Sequence, residues 1–326
     1  MLGAPLCMEL RPDRRSFLRT SAAWSLGCAL TGCAGAGSSA RVRFGVITDV
    51  HHDLMPDAPE RLSGFLSAMR GEDVDFIVQL GDFCTPHPRN AAFMDLWRSW
   101  PGVAHHVIGN HEFDGGFNAA QVRDFYGLRE SRYRFTAGGV DFFILDGNEP
   151  GGSARGYRRY VGPEQLAWLD AGMAASSAPK VVLIHQPLDD PDGLENGDAV
   201  RAVLERHRAT ACVSGHLHQD YLRVHVGVAH LQVNSASYYW LGDGPAARTT
   251  LPEAVDRAHP WLRRTALYRS PLWAVVELDF ARARLTVRGR TSEWLGPDPW
   301  TRGVSESEHP RDIVRPAVSP RDMALG

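Results

Sequence analysis

The chain is short of several features that would mark it out. No apolar run is long enough to cross a bilayer: the most apolar N-terminal stretch, Ala22 to Thr31, falls well below the roughly 20 residues that a transmembrane helix needs. Neither sign of charge dominates, with 35 basic against 38 acidic residues and a formal net charge of −3. The body also lacks a basic run with interleaved aromatics, so nucleic acid is not expected as an electrostatically held partner. Cysteine is scarce. Of five, Cys7, Cys28 and Cys33 lie in the N-terminal segment, which leaves Cys84 and Cys212 for the folded part. Two thiols neither point to an oxidising compartment nor exclude one, and a bridge between them stays open if their Cα atoms come within about 7 Å. No internal repeat is present, which excludes a repeat array. What remains is an ordinary globular composition, 44% hydrophobic and 22% charged, in 326 residues, enough for one large α/β domain with a buried core.

Against that background stands a set of side chains able to bind metal, each placed where an apolar run ends. In order they are Asp49-Val50-His51, Gly81-Asp82, Gly109-Asn110-His111-Glu112, His185 and Gly215-His216-Leu217-His218. Val42 to Thr48, Phe76 to Leu80 and Ala104 to Ile108 read as strands, with helix-like patterns at Pro59 to Met69 and Asn90 to Trp97 between them. The separations 82 − 49 = 33 and 110 − 82 = 28 each fit a strand, crossover helix and parallel strand. Right-handed crossovers then bring the strand ends to one sheet edge, where ligands bind in open α/β sheets.

Lys180 to Ile184 and Ala211 to Ser214 are further apolar strands, delivering His185 and the Gly-His-Leu-His turn. In extended chain, residues two apart project to the same side, so Asp49 pairs with His51 and His216 with His218. Imidazoles about 6.6 Å apart, at about 3.3 Å per residue, suit a close pair of metal ions. Taken singly, an Asp after a strand is usually a helix cap and a His a satisfied polar residue. The ordered set is what argues for a site.

These residues resemble the calcineurin-like metallophosphoesterases, whose pattern D-x-H, G-D, G-N-H-[DE], H, G-H-x-H appears here without substitution. The resemblance spans about residues 41 to 290. It implies a four-layer α/β/β/α sandwich of two mixed sheets with helices outside. It also implies two divalent or transition-metal ions, one held by Asp49, His51, Asp82 and His218, the other by Asp82, Asn110, His185 and His216, with Asp82 bridging. His111 is then the catalytic residue beside the phosphate, and Glu112 the partner expected to hold its ring.

Two ions carry four positive charges against two ligand carboxylates, so such a centre is cationic and its natural guest is a small phosphate ester. The implied reaction is hydrolysis by a hydroxide that bridges the metals. Imidazole, carboxylate and carboxamide ligands suit Mn, Fe, Zn or Ni better than Mg or Ca. Purple acid phosphatases carry a tyrosine three residues after the bridging Asp; Thr85 stands there, which argues against a purple diferric centre. The runs around Asp49, Asp82 and His111 also resemble manganese-dependent ADP-ribose and CDP-alcohol diphosphatases, and class III cyclic-nucleotide phosphodiesterases share the same motifs. Phosphomonoester, diester and diphosphate therefore all stay open as substrates. So does a non-catalytic lipoprotein that retains the fold, from which a non-ligating His111 would distinguish an enzyme.

Residues 1–40 read as an export signal. Arg14-Arg15-Ser16-Phe17-Leu18 resembles the twin-arginine type, and Leu30-Thr31-Gly32-Cys33 a lipoprotein box that would place a lipid on Cys33 and attach the protein to the membrane. Cleavage after Ala34-Gly35-Ala36 is the rival, and Met8 is an alternative start. The expected location is the periplasm or cell envelope. A phosphoesterase domain is expected over 41–295 and a wrapping or disordered tail over 296–326. Three segments are candidates to shape the pocket: the loop Asn148 to Gly162 with Arg155, Arg158 and Arg159; the aromatic run Asn234 to Trp240; and a lid over Leu241 to Ser270. His52, His87, His105, His106, His207, His225, His230, His259 and His309 match no family position.

Overall fold

Period-two alternation builds the core. Val42, Phe44 and Val46 of the first strand point to one face, whereas Ile47 packs on the other, and both sets are buried because a layer covers each face. The structure is a computed structural model, and it describes residues 40–153, 155–244, 246–248 and 250–326. The expected export signal, with Cys7, Cys28 and Cys33, lies outside the described residues.

The first half runs β1 (Arg41–Ile47), α1 (Ala58–Arg70), β2 (Phe76–Gln79), α2 (Ala91–Arg98), β3 (Val103–His106), α3 (Ala119–Tyr126), β4 (Tyr133–Ala137) and β5 (Val140–Ile144). There follow α4 (Pro163–Ala174), β6 (Lys180–Leu183), α5 (Gly197–Arg206), β7 (Ala211–Ser214), β8 (Tyr221–His225), β9 (Val228–Gln232) and β10 (Tyr238–Trp240). The chain closes with α6 (Glu253–Ala258), β11 (Thr265–Leu267), β12 (Ala274–Asp279), β13 (Arg284–Arg288) and β14 (Arg321–Ala324).

Two six-stranded mixed sheets result, ordered β14-β13-β12-β1-β2-β3 and β4-β5-β6-β7-β9-β8. The units β1-β2-β3 and β5-β6-β7-β9 are parallel, as the motif spacing requires. Between the sheets Phe44, Phe76 and Phe142 form an aromatic centre, with Phe44 and Phe76 stacked at 4.9 Å and Phe142 edge-on to Phe76 at 5.0 Å. Each fully buried Phe contributes about 1.5–3 kcal/mol. Leu62, Phe65 and Met69 of α1 and Phe93 and Trp97 of α2 cover the outer face of one sheet, while Leu169 of α4 and Val200 and Leu204 of α5 cover the other. Helix, sheet, sheet and helix are the expected four layers.

Residues 296–326 belong to the body. Val314 and Val318 are fully buried in the inter-sheet core, and β14 pairs with β13, within the same compact unit as the sheets. The segment therefore wraps onto the body: a proline-rich, polar stretch still carries the few apolar residues needed to close a core edge. The stretch 241–270, featureless in periodicity, contains α6, β11 and the short helix Pro260–Arg264. Cys84 and Cys212 are free buried thiols in different core clusters, so the possible bridge is not formed. Among the described residues no helix is long and apolar enough to cross a membrane.

Candidate metal centre

Every motif emerges from the carboxyl end of a parallel strand: Asp49 after β1, Asp82 after β2, Asn110 after β3, His185 after β6 and His216 after β7. The backbone at these ends differs from the extended chain expected. Asp49, His51, Asp82, His216 and His218 all lie in the left-handed region, at φ between 51° and 78°. Side chains two apart still converge, but through a turn at each residue and not through strand alternation. Left-handed non-glycine backbone costs about 1–3 kcal/mol per residue and persists where its surroundings over-determine it. Those surroundings are visible: the Asp49 N–H donates to the Gly81 carbonyl, the His51 N–H to the Asp82 carbonyl, and the Ser235 and Ser237 hydroxyls to the Asp49 and Val50 carbonyls.

Three sets of donor atoms come together, each within 4.8 Å: Asp49, His51 and His218; His51, Asp82 and His111; and Asp82, His185 and His216. Asp82 lies at their junction. Its Oδ2 is 3.1 Å from His185 Nε2 and 3.8 Å from His51 Nε2, while its Oδ1 accepts the His111 N–H at 2.8 Å. On one side His218 Nε2 is 3.2 Å from both Asp49 Oδ1 and His51 Nε2. On the other, His216 Nδ1 is 3.3 Å from His185 Nε2. The two histidines of the Gly-His-Leu-His turn thus fall in different donor sets. The strand ends crowd here so closely that only glycine fits at two of them. A Cβ on Gly109 would collide with the N and Oδ1 atoms of Asp82, and one on Gly215 with Thr48 Oγ1.

Do these residues suit metal ions? Two observations say so. Asn110 Oδ1 is buried without a hydrogen-bond partner, which is costly for a carboxamide unless something cationic meets it. His185 Nδ1 is 2.7 Å from the Leu80 carbonyl and His218 Nδ1 2.8 Å from the Tyr238 carbonyl, so each Nδ1–H donates outward and leaves the Nε2 lone pair facing the cluster. Electrostatics agree. Burial holds His51 and His216 down at about 3, neutral and able to ligate at ordinary pH. For Asp49, burial acts upward but His218 and His185 outweigh it and hold the carboxyl at about 2. For His185, burial acts downward but Asp82 outweighs it and lifts the ring to about 10.

Glu112 does not hold the His111 ring. It is buried beneath Asp82, where its carboxylate accepts the N–H groups of Asp82 and Phe83 at 3.1 and 2.9 Å and so pins the turn bearing the shared ligand. Burial and then the Asp82 charge push it up to about 8. Because consecutive residues of the short helix His111–Phe113 point in different directions, the ring partner is instead Asp114, whose Oδ2 lies 2.6 Å from His111 Nδ1. Tyr157 completes the arrangement, its hydroxyl 2.7 Å from Asp114 Oδ1 and 3.2 Å from His111 Nδ1. Burial acts to lower His111, but Asp82 and then Asp114 outweigh it and raise the ring to about 9. Sequence reasoning missed both residues. The His-x-x-Asp spacing was a usable signal for Asp114, whereas nothing local marks Tyr157.

A cavity of about 700 Å³ opens beside the centre. The loop at 148–162 reaches it through Tyr157 and not through Arg155, Arg158 or Arg159; Arg159 donates to the Gly193 carbonyl. Tyr238, Tyr239 and Trp240 all line it, the first two buried and Trp240 exposed, together with Trp261 from the expected lid. His309, which matched no motif, lines it too, its Nδ1 2.6 Å from the Tyr239 hydroxyl.

Comparison with known proteins agrees with this geometry. A family model described as calcineurin-like phosphoesterase matches residues 42–220. Among solved structures, a dimetal phosphatase from Danio rerio is 18% identical with a TM-score of 0.58, over 87% of this chain and 99% of that one. GAP50, described as the anchor in the inner membrane complex of Plasmodium, is 16% identical with a TM-score of 0.51, over 79% and 86%. At these identities the likeness is one of fold. A search of curated proteins found no match. With the family model spanning more than half of its length and the motif residues gathered at one sheet edge, the chain belongs to the calcineurin-like phosphoesterase family.

Proposed function

We propose that the protein is a dinuclear metal-dependent phosphoesterase that hydrolyses a small phosphate ester. The observation that carries this is Asp82, shared between two donor sets with His111 held beside it by Asp114. Asp49, His51, Asp82 and His218 would hold one ion, and Asp82, Asn110, His185 and His216 the other. When bound, such ions activate water and neutralise the phosphoryl oxygens. The chain's own part is proton placement. Asp114 fixes His111 Nδ1, so Nε2 is turned towards Asp82, 4.0 Å from its Oδ2, where a protonated ring would serve as the proton donor. As a water oxygen adds to phosphorus, the bond from phosphorus to the alcohol oxygen breaks, His111 Nε2 gives the alcohol oxygen its proton, and a proton of the added water returns to the ring. Export by the twin-arginine signal, with a lipid on Cys33, is proposed on the sequence alone.

Reconstitution of the protein with Mn, Fe or Zn, followed by elemental analysis and a 4-nitrophenyl phosphate assay, tests the reading. Two ions per chain and metal-dependent turnover are expected. Metal at background after all three reconstitutions would refute it.

A further inference from the structure

The centre explains how a phosphate is held but not what is attached to it. The cavity beside it speaks to that through its charge. Among the described residues neither Arg nor Lys lines it, so a second phosphate or a carboxylate would find no fixed cation beyond the metal edge. Four carboxylates besides Asp82 line it instead: Asp53, Asp114, Asp192 and Glu308. Two are already engaged. Asp53 accepts from Thr85, Asn90 and Arg89, and Asp114 is held by His111 and Tyr157. The other two, Asp192 and Glu308, are exposed, and neither carboxylate has a hydrogen bond or ion pair among the described residues. Two tryptophans line the same cavity. Trp240 is 42% and Trp261 54% exposed, unusual for tryptophan unless a ligand uses them. Arg264 lies over the Trp261 ring, 4.1 Å from its centroid, and is itself paired with Asp243.

Exposed indoles and unpaired carboxylates that line one cavity, with neither Arg nor Lys among the described lining residues, suit one chemistry: a quaternary or protonated amine, attracted by the ring quadrupole and by the acids together. We propose that this cavity selects a phosphate ester of an amino alcohol, with its phosphate at the Asp82 edge and its ammonium among Trp240, Trp261, Asp192 and Glu308. The proposal rests on the phosphoesterase reading for the phosphate end, whereas the ammonium end stands on the cavity itself.

Isosteric pairs that differ only in the charge test it. Phosphocholine against 3,3-dimethylbutyl phosphate probes the monoester, and glycerophosphocholine against its 3,3-dimethylbutyl analogue the diester. The cationic member of at least one pair should have the higher kcat/KM by about tenfold or more, as a cation–π contact with nearby acids allows. Trp240→Leu and Glu308→Gln should each lower that ratio by about threefold or more, chiefly through KM. Calorimetric titration of the metal-free protein with choline and with 3,3-dimethylbutanol reads the subsite without turnover, and choline should bind more tightly. Equal or better turnover of the neutral member in both pairs, or equal binding of the two alcohols, overturns the proposal. If 4-nitrophenyl phosphate itself is not turned over, the phosphoesterase reading fails while the choline titration still decides the subsite.

Discussion

The metal edge and the cavity rim sit side by side yet are made in opposite ways. The edge is buried, drawn from the ends of five parallel strands in two sheets, and held by backbone hydrogen bonds that impose left-handed conformation on five of its residues. The rim is exposed and drawn from segments far apart in the chain: Tyr157, Asp192 and Glu308, Trp240 at the end of β10, and Trp261 in the short helix Pro260–Arg264. The difference teaches where tolerance lies. A ligand at the edge is fixed by everything around it, so one substitution should propagate to its neighbours. A rim residue is fixed by little, so its loss should stay local.

The largest effect is expected at the junction. Asp82→Ala should remove both ions, as read by elemental analysis, and abolish turnover; a variant that kept two ions would show that the donor sets are independent. Next comes His111→Ala, expected to retain the metal and lose on the order of 10² to 10⁴ in kcat for an alkyl phosphate, less for 4-nitrophenyl phosphate, whose leaving group needs no proton. Loss of metal from this variant would instead make His111 a ligand.

Gly109→Ala tests the edge without replacing a proposed ligand. The added methyl group meets Asp82, so metal affinity should fall about 10- to 100-fold, the range for residues that orient metal ligands. An unchanged affinity, measured by competition with a chelator, would mean that the turn relaxes freely. At the rim, Trp240→Ala should raise KM for an aryl phosphate only about 2- to 12-fold, corresponding to one aromatic contact of roughly 0.5–1.5 kcal/mol, with metal content kept. Lost metal there would erase the distinction between edge and rim.

Protons sharpen the same contrast. His51 and His216 sit at about 3, so below the ordinary value of 6.5 the unfolded chain takes up protons that the folded one refuses, and stability falls as pH drops from 6.5 towards 3. His111 and His185, raised to about 9 and 10, act oppositely: their contribution is complete below 6.5 and is lost as pH climbs through those values. The metal-free protein should therefore melt highest near pH 6.5. If ions bind at His185 in place of its proton, as proposed, the alkaline loss should shrink on loading. A Tm of the metal-free protein that stayed level from pH 6.5 to 10 would contradict this.

The sequence by itself determined the layers and the order of the ligands. Period-two apolar runs specify strands with a defined inner face, and the spacing from Asp49 to Asp82 to Asn110 specifies parallel units whose ends share an edge. These are local or near-local properties, legible from residue type and separation. Only the tertiary structure decided that Glu112 turns inward under Asp82 while Asp114 takes His111, because a short helix sends successive side chains in different directions. It alone brought Tyr157, Trp261 and Glu308 to one cavity, and buried Val314 and Val318 beneath a tail that composition had set apart. Loop placement follows from packing between distant segments, and no period in a sequence encodes it.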